Sequence, residues 1–162
     1  MEALRMIKDA SEMATIRKAC SISDRAFTDV LDFIKAGQTT ELQVATFLDF
    51  RMREYGASGI SFETIVASGK RSAMPHGVAS DKVIESGDML TLDFGCYYNH
   101  YVSDMTRTIH IGDISDKERE VYQLVLEANQ AVIDSVKAGM VRKDYDKAAR
   151  NVITNAGYGD YF

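Results

Sequence analysis

A chain of 162 residues, 46% apolar and 27% charged, suits one compact domain with a sizeable core. Its net charge of −5, with lysines and arginines scattered along the chain, argues against a nucleic-acid surface. No run of 18 apolar residues and no apolar leader core in MEALRMIKDASE are present, so neither a membrane partner nor secretion is expected and a cytoplasmic location is. Cys20 and Cys96 stand far apart without metal-ligand spacing and read as free thiols.

The elements predicted in chain order are two helices, a β-rich middle and two more helices. Asp9 with Glu12 has capping-box spacing, and Met13, Ile16, Cys20, Phe27, Val30, Leu31 and Ile34 follow at roughly helical period. Gly37 suits the left-handed position that ends a helix. Thr40 with Gln43 opens a second helix, whose apolar face is Leu42, Ala45, Leu48 and Met52, and it should stop near Gly56. FETIVASG has strand composition, and Met89 to Ile111 is dense in Leu, Phe, Tyr, Val, Ile and Thr. Ser115 with Glu118 caps a third helix that ends near Gly139. A fourth runs from about Lys143 to Ala156, with Gly157 or Gly159 closing it.

The most informative segment is TLDFGCYYNHYVSDMTRT. A hairpin with its tip between Tyr98 and Asn99 sets Asp93 directly opposite Asp104. Like charges so placed are destabilising. A divalent cation would offset them, since carboxylates are hard oxygen ligands for Mn, Mg, Ca or Zn. A shared proton would also serve. A solvent-facing pair or another register leaves nothing to offset. Strand alternation puts Thr106 on the face of Asp104, where its hydroxyl could bond a ligating carboxylate, though β-propensity alone also accounts for a threonine there.

MPHGVAS holds His76 between the chain's one proline and Gly77. Pro75 stiffens the backbone before the imidazole and Gly77 permits a sharp turn after it, so the loop can aim His76 into a cleft. There it could donate to a substrate carbonyl or relay a proton; a plain surface histidine is the alternative. His100 falls near the tip and reads as exposed. His110 shares a strand face with Asp104 but lies roughly 20 Å further on, too far for one ion. No phosphate loop, dinucleotide fingerprint, H-E-x-x-H or G-x-S-x-G occurs.

IVASGKRSAMPHG, GDMLTLDFG and SDMTRT together resemble the first half of the catalytic domain of Xaa-Pro aminopeptidases and prolidases. The likeness runs from about Leu4 to Phe162, and LRMIKDASEMATIRKACSISDRAF looks like the start of that domain, where its first long helix begins. Methionine aminopeptidases share the fold and the paired aspartates, but the PHG and SDMTRT wording looks closer to the proline-directed branch.

The resemblance implies an α+β fold: an incomplete pita-bread domain with helices on a curved, mostly antiparallel sheet. Residues 1–162 would be the N-terminal portion of one catalytic domain, with no separate second domain. It implies a metallopeptidase with two divalent ions, manganese foremost and cobalt or zinc as alternatives. The substrate would be a peptide or dipeptide with proline second. Family members hold the metals with two Asp, one His and two Glu; the two Asp match Asp93 and Asp104, and the histidine that touches substrate matches His76. The remaining ligands would follow GYGDYF and have no counterpart here, nor has the family's usual N-terminal domain. An inactive fragment is therefore expected, with an unpaired sheet edge that favours a homo-oligomer. A non-catalytic peptide- or protein-binding module is the alternative of another class.

Overall fold

Asp9 caps the long helix of this chain as expected: its carboxylate accepts from the Ser11 and Glu12 amides, and Glu12 returns to the Asp9 amide. The computed structural model describes residues 2–162. They form α1 (Glu2–Met6), α2 (Ala10–Phe33), α3 (Glu41–Glu54), β1 (Gly59–Ile60), β2 (Ile65–Ser68), β3 (Met89–Phe94), β4 (Cys96–Tyr98), β5 (Tyr101–Val102), β6 (Met105–His110), α4 (Asp116–Ser135) and α5 (Arg142–Asn155). A 3-10 turn, Gly69–Ala73, follows β2, and another, Gly159–Tyr161, follows α5. Both other expected boxes, Thr40–Gln43 and Ser115–Glu118, are formed. Among the described residues no helix is long and apolar enough to cross a membrane. The chain divides into two compact units, one ending at Asp113 and the other running from Ile114 to Phe162.

In the first unit every strand pairing is antiparallel. One sheet has the order β1-β4-β5 and the other β2-β3-β6. Two ladders thus replace the single sheet expected from sequence. They share one hairpin, interrupted at Gly95 on the way out and at Ser103–Asp104 on the way back. Gly95 is required at the break: a Cβ there would stand 2.0 Å from the Ser103 carbonyl oxygen and 2.5 Å from Ser61 Oγ. Ser103 is fastened where it crosses. Its amide donates to the Cys96 carbonyl (3.0 Å), its Oγ accepts from the Cys96 amide (2.9 Å), and it shares a 2.7 Å bond with Ser23 of α2.

Strand alternation divides β3 cleanly. Leu90, Leu92 and Phe94 are fully buried, joining Val66 of β2 and Ile22, Val30, Val44, Leu48 and Met52 of the helices. Each such side chain stabilises the fold by about 1.5–3 kcal/mol. The buried stripe of α2 is Ala19, Ile22, Ser23, Ala26 and Val30. The stripe expected from sequence included Met13, Leu31 and Cys20, which are exposed. Small residues let α2 approach β4 and β5 closely, and a search for large apolar residues passes over them. On α3, Leu48 and Met52 are buried as expected, but Val44 fills the place expected for Leu42. Gly37 does not end α2; the cap is Ile34, and Gly37 serves the turn beyond with φ +72°.

The second unit is a helical pair. α4 packs against α5, burying Ala128 and Ile153, while Val125, Leu126, Ile133 and Val136 are exposed. α4 stops at Ser135, one turn before the expected Gly139.

Gly95→Ala is expected to lower stability by about 1–3 kcal/mol in urea unfolding, because its methyl meets backbone that cannot step aside. Gly87→Ala, with φ +94° and nothing within 4 Å, carries only the backbone strain and should cost less.

Candidate functional site

The register of the hairpin differs from the expected one. Asn99 and His100 both take positive φ, +46° and +69°, which is what a two-residue type I′ turn demands. A tip at Tyr98–Asn99 would force an aromatic residue into that region, where asparagine and histidine are more readily accommodated. The tip therefore sits one residue later. Tyr98 pairs with Tyr101, and Asp93 pairs with Thr106 rather than Asp104. The aspartates are not directly opposed, so repulsion across a facing pair no longer argues for an ion.

The shift of partner is two residues, however, and so preserves faces. Thr106 Oγ1 donates to Asp93 Oδ1 at 3.0 Å. Asp104 precedes β6 by one residue and lies two residues from Thr106. It is exposed, as is Thr106, while Asp93 is half-buried. In a regular ladder diagonal neighbours of this kind are roughly 7–8 Å apart. Beside Asp93 along its own face, Thr91 and Thr108 share a 3.4 Å contact. His110 Nδ1 lies 3.2 Å from the Gly112 carbonyl oxygen, and His100 is exposed in the turn.

The turn that carries His76 adjoins the same sheet from the opposite flank through Val78. Ile65 pairs with Asp93 on one side and bridges Val78 on the other, so Val78, Ile65, Asp93 and Thr106 form one row. His76 is two residues before Val78, exposed, in a turn where its carbonyl accepts from the Val78 amide at 2.9 Å. Gly77 is buried, and a Cβ on it would come within 2.8 Å of the Ala67 Cβ. That contact seats the turn on β2.

Sequence reasoning missed what holds this turn. Glu41, the first residue of α3, is fully buried. Its Oε1 accepts from the Ser68 amide (2.8 Å) and Ser68 Oγ (2.9 Å); its Oε2 accepts from Ser80 Oγ (2.6 Å) and Arg71 Nε (3.0 Å). Arg71 Nη2 continues to the Val78 carbonyl oxygen at 2.6 Å. Lys82 Nζ bonds both Ser68 Oγ and Asp88 Oδ2, each at 2.7 Å. Burial pushes the Glu41 carboxyl up, but the Ser80 and Ser68 donors and the Arg71 charge outweigh it and hold its pKa below the ordinary glutamate range. The available signal was a glutamate at a helix start with SGKRS downstream, and nothing in the spacing joins them.

Carboxylates such as Asp93, held by a threonine hydroxyl, and Asp104 are hard oxygen donors of the kind that metal-assisted hydrolysis employs. Hard divalent ions fit such oxygens, but among the described residues no group of three or more His, Cys, Asp or Glu is placed to hold one. Comparison with known proteins gives the class its family. The chain belongs to metallopeptidase family M24, whose model matches residues 14–162. It is 48% identical to an Xaa-Pro dipeptidase of Pyrococcus furiosus over 159 residues, covering 98% of this chain and 45% of that one. It is 49% identical over 162 residues to an uncharacterised peptidase of Bacillus subtilis, covering 100% of this chain and 46% of that one. Among solved structures, an Xaa-Pro dipeptidase from Bacillus anthracis superposes with TM-score 0.94 at 50% identity, covering 98% of this chain and 44% of that one. The prolidase from Pyrococcus furiosus also gives 0.94, at 48% identity, covering 99% and 47%. The chain thus spans less than half the length of these relatives.

A carboxylate whose folded-state pKa is depressed stabilises fully at neutral pH, and that contribution is lost as pH falls through the folded value. Urea midpoints measured from pH 7 downward should therefore fall below about pH 5. Part of that slope should vanish in Glu41→Gln, the variant losing stability at pH 7 instead. An unchanged slope would remove Glu41 from the account.

Proposed function

We propose that this chain is part of a metal-dependent exopeptidase that cleaves the bond between an N-terminal residue and a following proline. The observation that carries it is Asp93 bonded to Thr106 on the β3–β6 ladder, with Asp104 just before β6 and Val78, two residues past His76, bridging the same sheet, in a family M24 chain. Relatives described as Xaa-Pro dipeptidases support the proline specificity. In this reading Asp93 and Asp104 ligate metal through carboxylate oxygens. Thr106 fixes the Asp93 carboxylate through its 3.0 Å hydrogen bond, so that the ligand is oriented before an ion arrives. His76 donates to the substrate carbonyl or relays a proton at the leaving nitrogen. Two divalent ions, manganese foremost, would supply a water of lowered pKa and polarise the scissile carbonyl.

The fold proposed for the whole is a pita-bread domain of which residues 1–162 form the N-terminal portion. Two carboxylates alone make a weak metal site, because affinity rises with ligand number and preorganisation. The chain by itself is proposed to be inactive, its activity belonging to a protein that also carries the family's histidine and glutamate ligands. Exposed apolar side chains on α4 support self-association.

Joined to the remaining length of the Pyrococcus furiosus enzyme, this chain should release the first residue of an Ala-Pro-led peptide with Mn²⁺. A Met-Ala-led peptide should be cut far more slowly, and Asp104→Asn should abolish turnover. Preference for the Met-Ala peptide would assign methionine aminopeptidase specificity; turnover indifferent to Asp104 would overturn the site. In the same joined protein, Thr106→Val should weaken Mn²⁺ binding about 10- to 100-fold by titration calorimetry. Gel filtration of the chain alone across a concentration series should show growth in apparent size, and a monomer throughout would contradict self-association.

A further inference from the structure

The turn that carries His76 is exposed, yet both of its feet converge on one buried carboxylate. The outgoing foot is Ser68, which gives Glu41 both its amide and its hydroxyl, at 2.8 and 2.9 Å. The returning foot is Ser80, which gives Oγ at 2.6 Å and its amide at 3.2 Å. The first amides of α3 hold the returning leg as well: Glu41 N donates to the Lys82 carbonyl (3.0 Å) and Leu42 N to the Ser80 carbonyl (2.9 Å). Arg71 spans the turn from within, from Glu41 Oε2 to the Val78 carbonyl, two residues past His76. Lys82 and Asp88 complete the cluster through Ser68 Oγ. Two acids and two bases are thus brought together between α3 and β2, where burying them has a desolvation cost that apolar residues would not. Its hydrogen bonds tie the start of α3 to both legs of residues 68–82, and Lys82 carries the cluster on to Asp88.

We propose that Glu41 is a positioning residue: with Arg71 it clamps residues 68–82 so that His76 is presented in one orientation to substrate. This rests on the assignment of His76 to substrate in the preceding reading. A carboxylate is needed because it accepts from five donors on two oxygens; an amide would turn an N–H toward Arg71 or Ser80 and lose one foot. Arg71 is needed because its guanidinium bonds the carboxylate and a carbonyl on different sides at once.

The test uses the 162-residue chain, isotope-labelled for amide exchange and for the histidine Cε1–H resonances. In Glu41→Gln and in Arg71→Ala, exchange at the Gly77 and Val78 amides should quicken at least tenfold. The His76 resonance should move toward the position of free histidine, while amides of Leu90–Phe94 keep their protection. Arg71 is 30% exposed, so Arg71→Ala tests the clamp even if Glu41→Gln fails to fold. Val44→Ala, a core truncation on the same helix, should leave the turn's exchange and the His76 resonance as in the unaltered chain. Unchanged exchange in Arg71→Ala, or equal loosening in Val44→Ala, would overturn the proposal. These readouts contain no substrate, so they separate failure of the clamp from failure of the peptidase reading, which the Ala-Pro and Met-Ala peptides report.

Discussion

The ladder between β3 and β6 is the constraint on which the rest of the site depends. Its register pairs Asp93 with Thr106 and is fixed by the Asn99–His100 turn, where both residues adopt positive φ. The same ladder buries Leu90, Leu92 and Phe94 on one face, so it cannot slip by one residue without turning the core outward. Burial of three large side chains thus dictates which face the aspartate occupies. β2 adds the second edge of the sheet, and the Ile65–Val78 bridge brings the histidine turn into the row.

The break at Gly95 has a structural logic of its own. One hairpin feeds two sheets, and the crossing is held by Ser103, through Cys96 and Ser23, directly before Asp104. The aspartate at the break is thereby freed from ladder pairing while its neighbour is fastened. Asp93 stays within the ladder and takes its restraint from Thr106 instead. On the other flank, Glu41 sets a buried charge under both legs of the His76 turn. Each of the three candidate residues is thus next to a polar anchor, which is the arrangement a preorganised site requires.

Much of this was legible in the sequence where a local rule decides. The capping boxes at Asp9, Thr40 and Ser115 follow from spacing alone and are all formed. Gly56 and Gly157, with φ +102° and +88°, follow the helices they were expected to end. The face of Asp93 and Thr106 followed from alternation, but their pairing did not, because a tip placed by asparagine alone is uncertain by one residue. The buried stripe of α2 was obscured because alanine and serine, not large residues, allow its close approach. The Glu41 cluster joins positions 41, 68, 71, 80, 82 and 88, and no periodicity links them. What resemblance supplied was the role of Asp93, Asp104 and His76; physical reading of the residues had left that role open.

The proposed role of Asp93 and Asp104 is to hold a cation on the face that the His76 turn adjoins. Mn²⁺ titrated into the ¹⁵N-labelled chain tests it most directly, since the paramagnetic ion broadens only amides near it. The account predicts broadening that centres on Asp93, Asp104 and Thr106, extends to the His76 turn, and disappears in Asp93→Asn and Asp104→Asn. Broadening spread over the acidic surface, or unchanged in those variants, would contradict it.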